Sequence, residues 1–179
     1  MNRVKILVTV GSDHHPFDRL IGGVDRWAEG RDDVELTVQF GTAAQPRHGK
    51  ATAYLPHPDL MAAMRETDIL VTQGGPMGII EARRTGLIPI VWPRLARFGE
   101  VVDDHQVDLC RHLGERQEVV LVESEEALHR ALESAVAVPA ALHITPVDST
   151  AQVRGSVRSF AAEVVDLPPR RGFFGRRAG

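Results

Sequence analysis

Gln73, Gly74, Gly75 and Pro76 follow an apolar run, Ile69 to Val71, and open a helical pattern. Glycines let backbone amides approach an anion closely, proline suits a first helical turn, and a helix start offers unpaired N–H groups with partial positive charge. Such a turn suits a diphosphate. Met77 and Gly78 continue it, and Glu81 lies further into the same helix, where a carboxylate can accept hydrogen bonds from both hydroxyls of a ribose. A plainer reading stands beside this one. Parallel α/β proteins in general carry glycine-rich turns after their strands, and Glu81 would also complement the dipole of its own helix.

Two further loops carry chemistry-bearing residues. Gly11 and Ser12 directly follow the apolar run Val4 to Val10, ahead of a helix start near Pro16. Ser12 and Asp13 are capable helix caps, and Ser12 can equally donate to a phosphate. His14 and His15 on that loop are the candidates for acid, base or phosphate donor, although adjacent histidines on a polar loop are more often simply solvated. The third loop opens with Pro93 and Arg94 and ends at Asp103, Asp104, His105 and Gln106, in the first turn of a helix. Asp103 and Asp104 suit the positive helix end, while His105 and Gln106 are assigned to sugar hydroxyls or a distal phosphate. Neighbouring helical acids point about 100 degrees apart, and the HH and DDHQ segments lack the tight spacing of structural zinc, so no metal site is expected.

These loops need strands that end together. Runs rich in Val, Ile and Leu at Lys5 to Val10, Val34 to Phe40, Ile69 to Thr72, Ile88 to Trp92 and Val119 to Val122 read as strands, several apolar throughout as in doubly covered sheets. Helical patterns lie between and after them at Pro16 to Ala28, Pro58 to Arg65, Met77 to Arg84, Val102 to Leu113 and Glu125 to Ala137. The alternation predicts a Rossmann-like α/β fold, a parallel sheet with helices on both sides, and a ligand outside the carboxyl ends of its strands. The expected organisation is a ligand-binding domain over 1–138, a connection and amphipathic helix (Ala151 to Val165) within 139–167, and a disordered basic tail over 168–179.

With 179 residues and a net charge of −3, the chain suits one ordinary domain and lacks the gathered basic charge of a nucleic-acid binder. Cys110 is the only cysteine, which excludes an internal disulfide and a thiolate metal cluster, and its apolar helical neighbours make it a small buried residue. No apolar run approaches the ~20 residues that span a bilayer, and no leader pattern is evident, so a soluble, cytoplasmic protein is expected. A dinucleotide-dependent enzyme ranks last, because GxGxxG is missing after the first strand.

Taken in order, VTVGSDHHPFDRLI, VTQGGPMGIIEARRTGLIPIVWPR and FGEVVDDHQ resemble the C-terminal domain of family 28 glycosyltransferases, over roughly Lys5 to Ala135. The likeness is to its stand-alone versions, such as the soluble subunit of two-subunit UDP-N-acetylglucosamine transferases and exopolysaccharide counterparts, and to the single-chain relative MurG. The resemblance implies the C-terminal, donor-binding half of a GT-B enzyme, transferring a hexosyl group such as GlcNAc from a UDP-sugar, with inversion, to a lipid-linked or polysaccharide acceptor. It implies no cofactor and no bound metal. It further implies a membrane-associated partner subunit that binds the acceptor and supplies the general base. By motif, Gly11 and Ser12 would lie at the diphosphate, Gln73, Gly74, Gly75, Met77 and Gly78 would line the phosphate turn, and Glu81 would hold the ribose. His105 and Gln106 would contact the sugar, with Arg94 and Asp104 completing the set.

Family members commonly carry His-Gly-Gly where this chain has Gln73, a hydroxyl residue near Met77 and Gly78, and a histidine at Val101. These departures keep a second function open, a nucleotide-sugar-binding or regulatory module without transfer activity. Through its partner the chain would sit at the inner face of the membrane, with the arginine-phenylalanine tail adding a weak surface contact of about 1 kcal/mol per arginine.

Overall fold

The computed structural model describes residues 3–146. The expected helix from Ala151 to Val165 and the basic tail lie outside the described residues. Within them the chain runs β1 (Val4–Thr9), α1 (Asp18–Ala28), β2 (Val34–Gln39), β3 (Lys50–Thr52), α2 (His57–Glu66), β4 (Ile69–Gln73), α3 (Pro76–Arg84), β5 (Ile90–Trp92), α4 (His105–Glu115), β6 (Val120–Leu121) and α5 (Glu125–Ala137).

The strands form one six-stranded sheet in the order β3-β2-β1-β4-β5-β6, with every pairing parallel. Side chains alternate across a strand, and the alternation sorts the core onto two faces. Ile6, Val8, Ile69, Val71, Ile90 and Trp92 pack with α1 and α5 residues such as Leu20, Val24, Leu128 and Leu132. On the opposite face, Leu7 and Leu70 meet Met64 and Ala82 from α2 and α3, while Val91 meets Leu109, Cys110 and Leu113 from α4. Coverage on both faces is why these strands read as unbroken apolar runs.

The chain builds outward from β1 through β2 to β3, then returns to place β4 against the other side of β1. The strand order therefore reverses between β1 and β4. At such a point the loops leaving two neighbouring strands diverge to opposite faces and leave a crevice at their carboxyl ends.

Three details differ from the sequence reading. Strand β3 is additional. It is only Lys-Ala-Thr, too short and polar for a periodic signal, and exists because Thr37, Val38 and Gln39 of β2 pair with it. Helix α1 starts at Asp18 rather than Pro16, and α4 starts at His105 rather than Val102. The latter helix is delayed because Gly99 takes a left-handed turn and Asp104 Oδ1 accepts from the Ala96 N–H at 2.8 Å, holding 96–104 as a closed loop.

Candidate functional site

A cleft of about 510 Å3 opens at the reversal point, lined from β1 by Thr9, Gly11 and Ser12, from β4 by Thr72 and Gln73, and from α3 by Gly75 to Gly78 and Glu81. Its size falls in the usual range of small-molecule sites. A wider cleft of about 700 Å3 runs along β6, but it lies off the carboxyl ends of β1 and β4 and none of the three turns reaches it. Chemistry, not volume, favours the first.

Gly11 bridges β1 to the loop with φ of 72°, a conformation that side-chain-bearing residues avoid, and a Cβ there would collide with the Gln73 side-chain nitrogen. Gly75 precedes α3 with extended backbone and no side-chain cap, so the helix start is left open toward the cleft. Pro76 has no N–H, and the Met77 and Gly78 amides belong to that uncapped first turn. The helix therefore aims partial positive charge where Gly11 and Gln73 converge.

Glu81 sits at the far side of the cleft. The ring Nε2–H of His57 donates to its Oε1 at 2.7 Å; the Glu81 side chain is 14% exposed and that of His57 66%. Beyond them, Tyr54, Leu55, Leu60 and Met64 give the cleft an apolar end. Gln39, buried at the end of β2, ties this end together: its Nε2 donates to the Thr9 hydroxyl and the Gly11 carbonyl, and its Oε1 accepts from Leu55 N–H at 3.1 Å. The residues from Tyr54 to Met64 carried no ligand signal in the sequence, only the helical pattern from Pro58 to Arg65. They arrive only because β3 and α2 fold over the β1–β4 edge.

Gly11, Ser12, Gln73, Gly75, Met77, Gly78 and Glu81 are thus brought together. Gly74 is not at the cleft wall. A Cβ on it would lie 2.6 Å from Cys110 Sγ and 3.4 Å from Gln106 Cβ, so its small size serves the packing of α4 on β4. Burial pushes the Cys110 thiol up to about 12, which keeps it protonated and unreactive, as expected of a packing residue.

Arg94, expected to contact ligand, is fully buried instead. Its guanidinium donates to the Val10 carbonyl (2.9 Å), the His15 carbonyl (2.7 Å), the Glu100 carbonyl (2.8 Å) and Gln73 Oε1, and stacks over Phe17. Burial lowers its pKa from the ordinary value against the opposing charges of Asp13 and Glu100. A cation with no proton acceptors and this many carbonyl partners is a fastener of loops rather than a surface contact.

The remaining expected residues lie apart from the cleft lining. Asp104 borders a separate groove with Arg97, Asp108 and Arg111. His105 is exposed beside Asp103, and Gln106 packs behind Gly74 with its Oε1 buried and unpartnered among the described residues. His14 is exposed. His15 donates its backbone and ring N–H to Asp13 Oδ1 at 2.8 and 2.7 Å. Burial raises the Asp13 pKa, but these bonds and the nearby Arg94 charge outweigh it and hold the carboxyl below its usual range. Asp13, His14 and His15 can each bring one ligand atom within 4.8 Å of the others, though the Asp13 oxygen is already engaged by His15.

Comparison with known proteins settles the lineage. The model of the glycosyltransferase family 28 C-terminal domain matches residues 5–152. The chain belongs to this family. No curated protein sequence matches it. Among solved structures, it is similar to MurG of Acinetobacter baumannii, with 15% identity, a TM-score of 0.56, and coverage of 88% of this chain and 52% of that one. It is also similar to the glycosyltransferase of kitacinnamycin, with 19% identity, a TM-score of 0.54, and coverage of 93% and 44%. The calicheamicin glycosyltransferase CalG4 gives 13% identity, a TM-score of 0.51, and coverage of 92% and 40%. At these identities the likeness establishes the fold, the α/β Rossmann-like unit of GT-B glycosyltransferases. The family 28 chain spans about half the length of the structures it matches, or less.

Proposed function

We propose that this glycosyltransferase domain is the donor-binding half of a GT-B enzyme and holds a UDP-sugar in the cleft between β1 and β4. The observation that carries the reading is the order of chemistries along that cleft. A cradle of Gly11, the Gln73 amide and the α3 start suits a diphosphate; Glu81, in the same cleft, suits ribose hydroxyls; the apolar end at Tyr54, Leu55, Leu60 and Met64 suits a flat base.

When the bond between sugar and diphosphate breaks, negative charge grows on the departing phosphate. Fixed donors aimed there stabilise the transition state, and one such donor is typically worth 10²–10³ in kcat. The Gln73 amide and the first turn of α3 fill that role without a metal. The acceptor would attack the opposite face of the anomeric carbon, giving inversion, with a hexose such as GlcNAc as the transferred group. The acceptor half, and with it the general base, would come from a separate, membrane-associated partner, as the resemblance to the stand-alone family members implies. The domain would then work at the inner face of the membrane, held by that partner, with a weak contribution from the basic tail.

Hydrogen exchange locates the ligand. Saturating UDP should slow exchange at the amides of Gly11, Met77 and Gly78 and leave the β6 edge unchanged. Protection confined to the β6 edge would remove the proposal.

A further inference from the structure

We infer that Arg94, although it does not line the cleft, is a positioning residue that fixes Gln73 as an obligate hydrogen-bond donor to the diphosphate. The inference rests on the donor-binding reading and explains how this chain works with glutamine in its cradle.

A glutamine amide has an accepting end and a donating end of nearly the same shape, and only its neighbours decide which end faces where. The Arg94 Nε–H donates to Gln73 Oε1. A guanidinium has no acceptor, so the oxygen must be the end that faces it. The NH2 end is consequently turned toward the turn glycines: it lies where a Gly11 Cβ would collide with it, and 3.1 Å from where a Gly75 Cβ would be. Two N–H donors therefore look into the space between the β1 turn and the α3 start.

Arg94 is itself immobilised. It is fully buried, and three backbone carbonyls, Val10, His15 and Glu100, hold the guanidinium plane from three segments of chain. Glu100 closes the arrangement from outside, accepting from the Leu95 N–H at 2.9 Å and from Arg19 at 2.7 and 3.0 Å. The orientation of one amide is thus set by a fork whose other prongs define the loops of the site. Rotation of Gln73 would face oxygen against Arg94's N–H no longer, and would point a carbonyl at a diphosphate.

Gln73→Glu tests this with little risk to the fold, because the new carboxylate keeps one oxygen on Arg94 and differs from the amide mainly in presenting an oxygen where the NH2 was. Binding of UDP and of uridine is measured by calorimetry or chemical-shift titration for the wild type, Gln73→Glu and Arg94→Lys. Gln73→Glu should melt no lower than wild type, bind UDP on the order of 30-fold more weakly and bind uridine within about twofold, because only the diphosphate meets the altered group. Arg94→Lys should weaken UDP by roughly 10-fold with uridine again spared. In the ligand-free protein, the Gln73 side-chain NH2 resonances should be sharp in wild type and averaged in Arg94→Lys. Unchanged UDP affinity in Gln73→Glu, or equal losses of UDP and uridine in Arg94→Lys, overturns the inference while leaving the site intact. A wild type that binds neither UDP nor uridine overturns the donor-binding reading instead, and the NH2 resonances still report whether Arg94 fixes the amide.

Discussion

A methyl group at position 74 would land 2.6 Å from Cys110 Sγ, closer than packed atoms tolerate. The two glycines of the turn therefore have different reasons to be small: Gly75 opens the helix start to the cleft, whereas Gly74 makes room for α4. Gly74→Ala should destabilise the domain by about 1–3 kcal/mol through overpacking. Cys110→Ala alone should cost less, and the double variant should recover part of the Gly74→Ala loss, because the nearest obstructing atom is gone. Thermal melts of the three variants check this. Strict additivity would mean that Pro93 or Gln106, 3.3 and 3.4 Å from the same point, sets the limit. The sequence could not separate the two glycines, since the atom that distinguishes them lies 36 residues further along the chain.

At the scale of elements, the segment Gly41 to Gly49 is fastened to α1 through one carboxylate. Asp25, 8% exposed, accepts from the backbone N–H of Arg47 and of His48 at 2.8 and 2.9 Å, and from the side chains of both. Burial raises the pKa of Asp25, but the His48 and Arg47 bonds outweigh it and the result lies below the ordinary value. A carboxylate with a depressed folded pKa stabilises fully above its unfolded pKa of about 4, and the contribution is lost as pH falls through the lower folded value. Asp25→Asn should therefore cost about 1–3 kcal/mol at pH 7 and progressively less below pH 4, where the wild type loses the same contribution. Urea unfolding across that range is the check, and a difference independent of pH would contradict it. The helices were legible because each buries one face with the helical period, and the long strands because burial on both faces leaves apolar runs. Strand β3 was not, since three residues have no period, and the starts of α1 and α4 depend on loop bonds that only the folded chain makes.

Across the whole molecule, the reversal of strand order between β1 and β4 decides where a ligand can sit; alternating strands and helices in the sequence pointed to the carboxyl ends of the strands but not to this pair. Two of the three loops singled out there, Gly11 to His15 and Gln73 to Gly78, do contribute to the cleft. The third supplies Arg94 from behind instead of contacts from the front, because a buried arginine and a surface arginine look alike in sequence. The opposite wall from Tyr54 to Met64 was missed for a related reason: it reaches the site through β2–β3 pairing, not through any motif. The central claim is that this wall and the glycine turns together hold a nucleotide-sugar. Calorimetric titration with UDP, UDP-N-acetylglucosamine, UDP-glucose and NAD, repeated on Glu81→Ala, tests it most directly. Saturable binding of UDP or a UDP-sugar but not NAD, weakened about 10-fold or more by Glu81→Ala, is the predicted result. Tight UDP binding that Glu81→Ala leaves unchanged, or a preference for NAD, would contradict it.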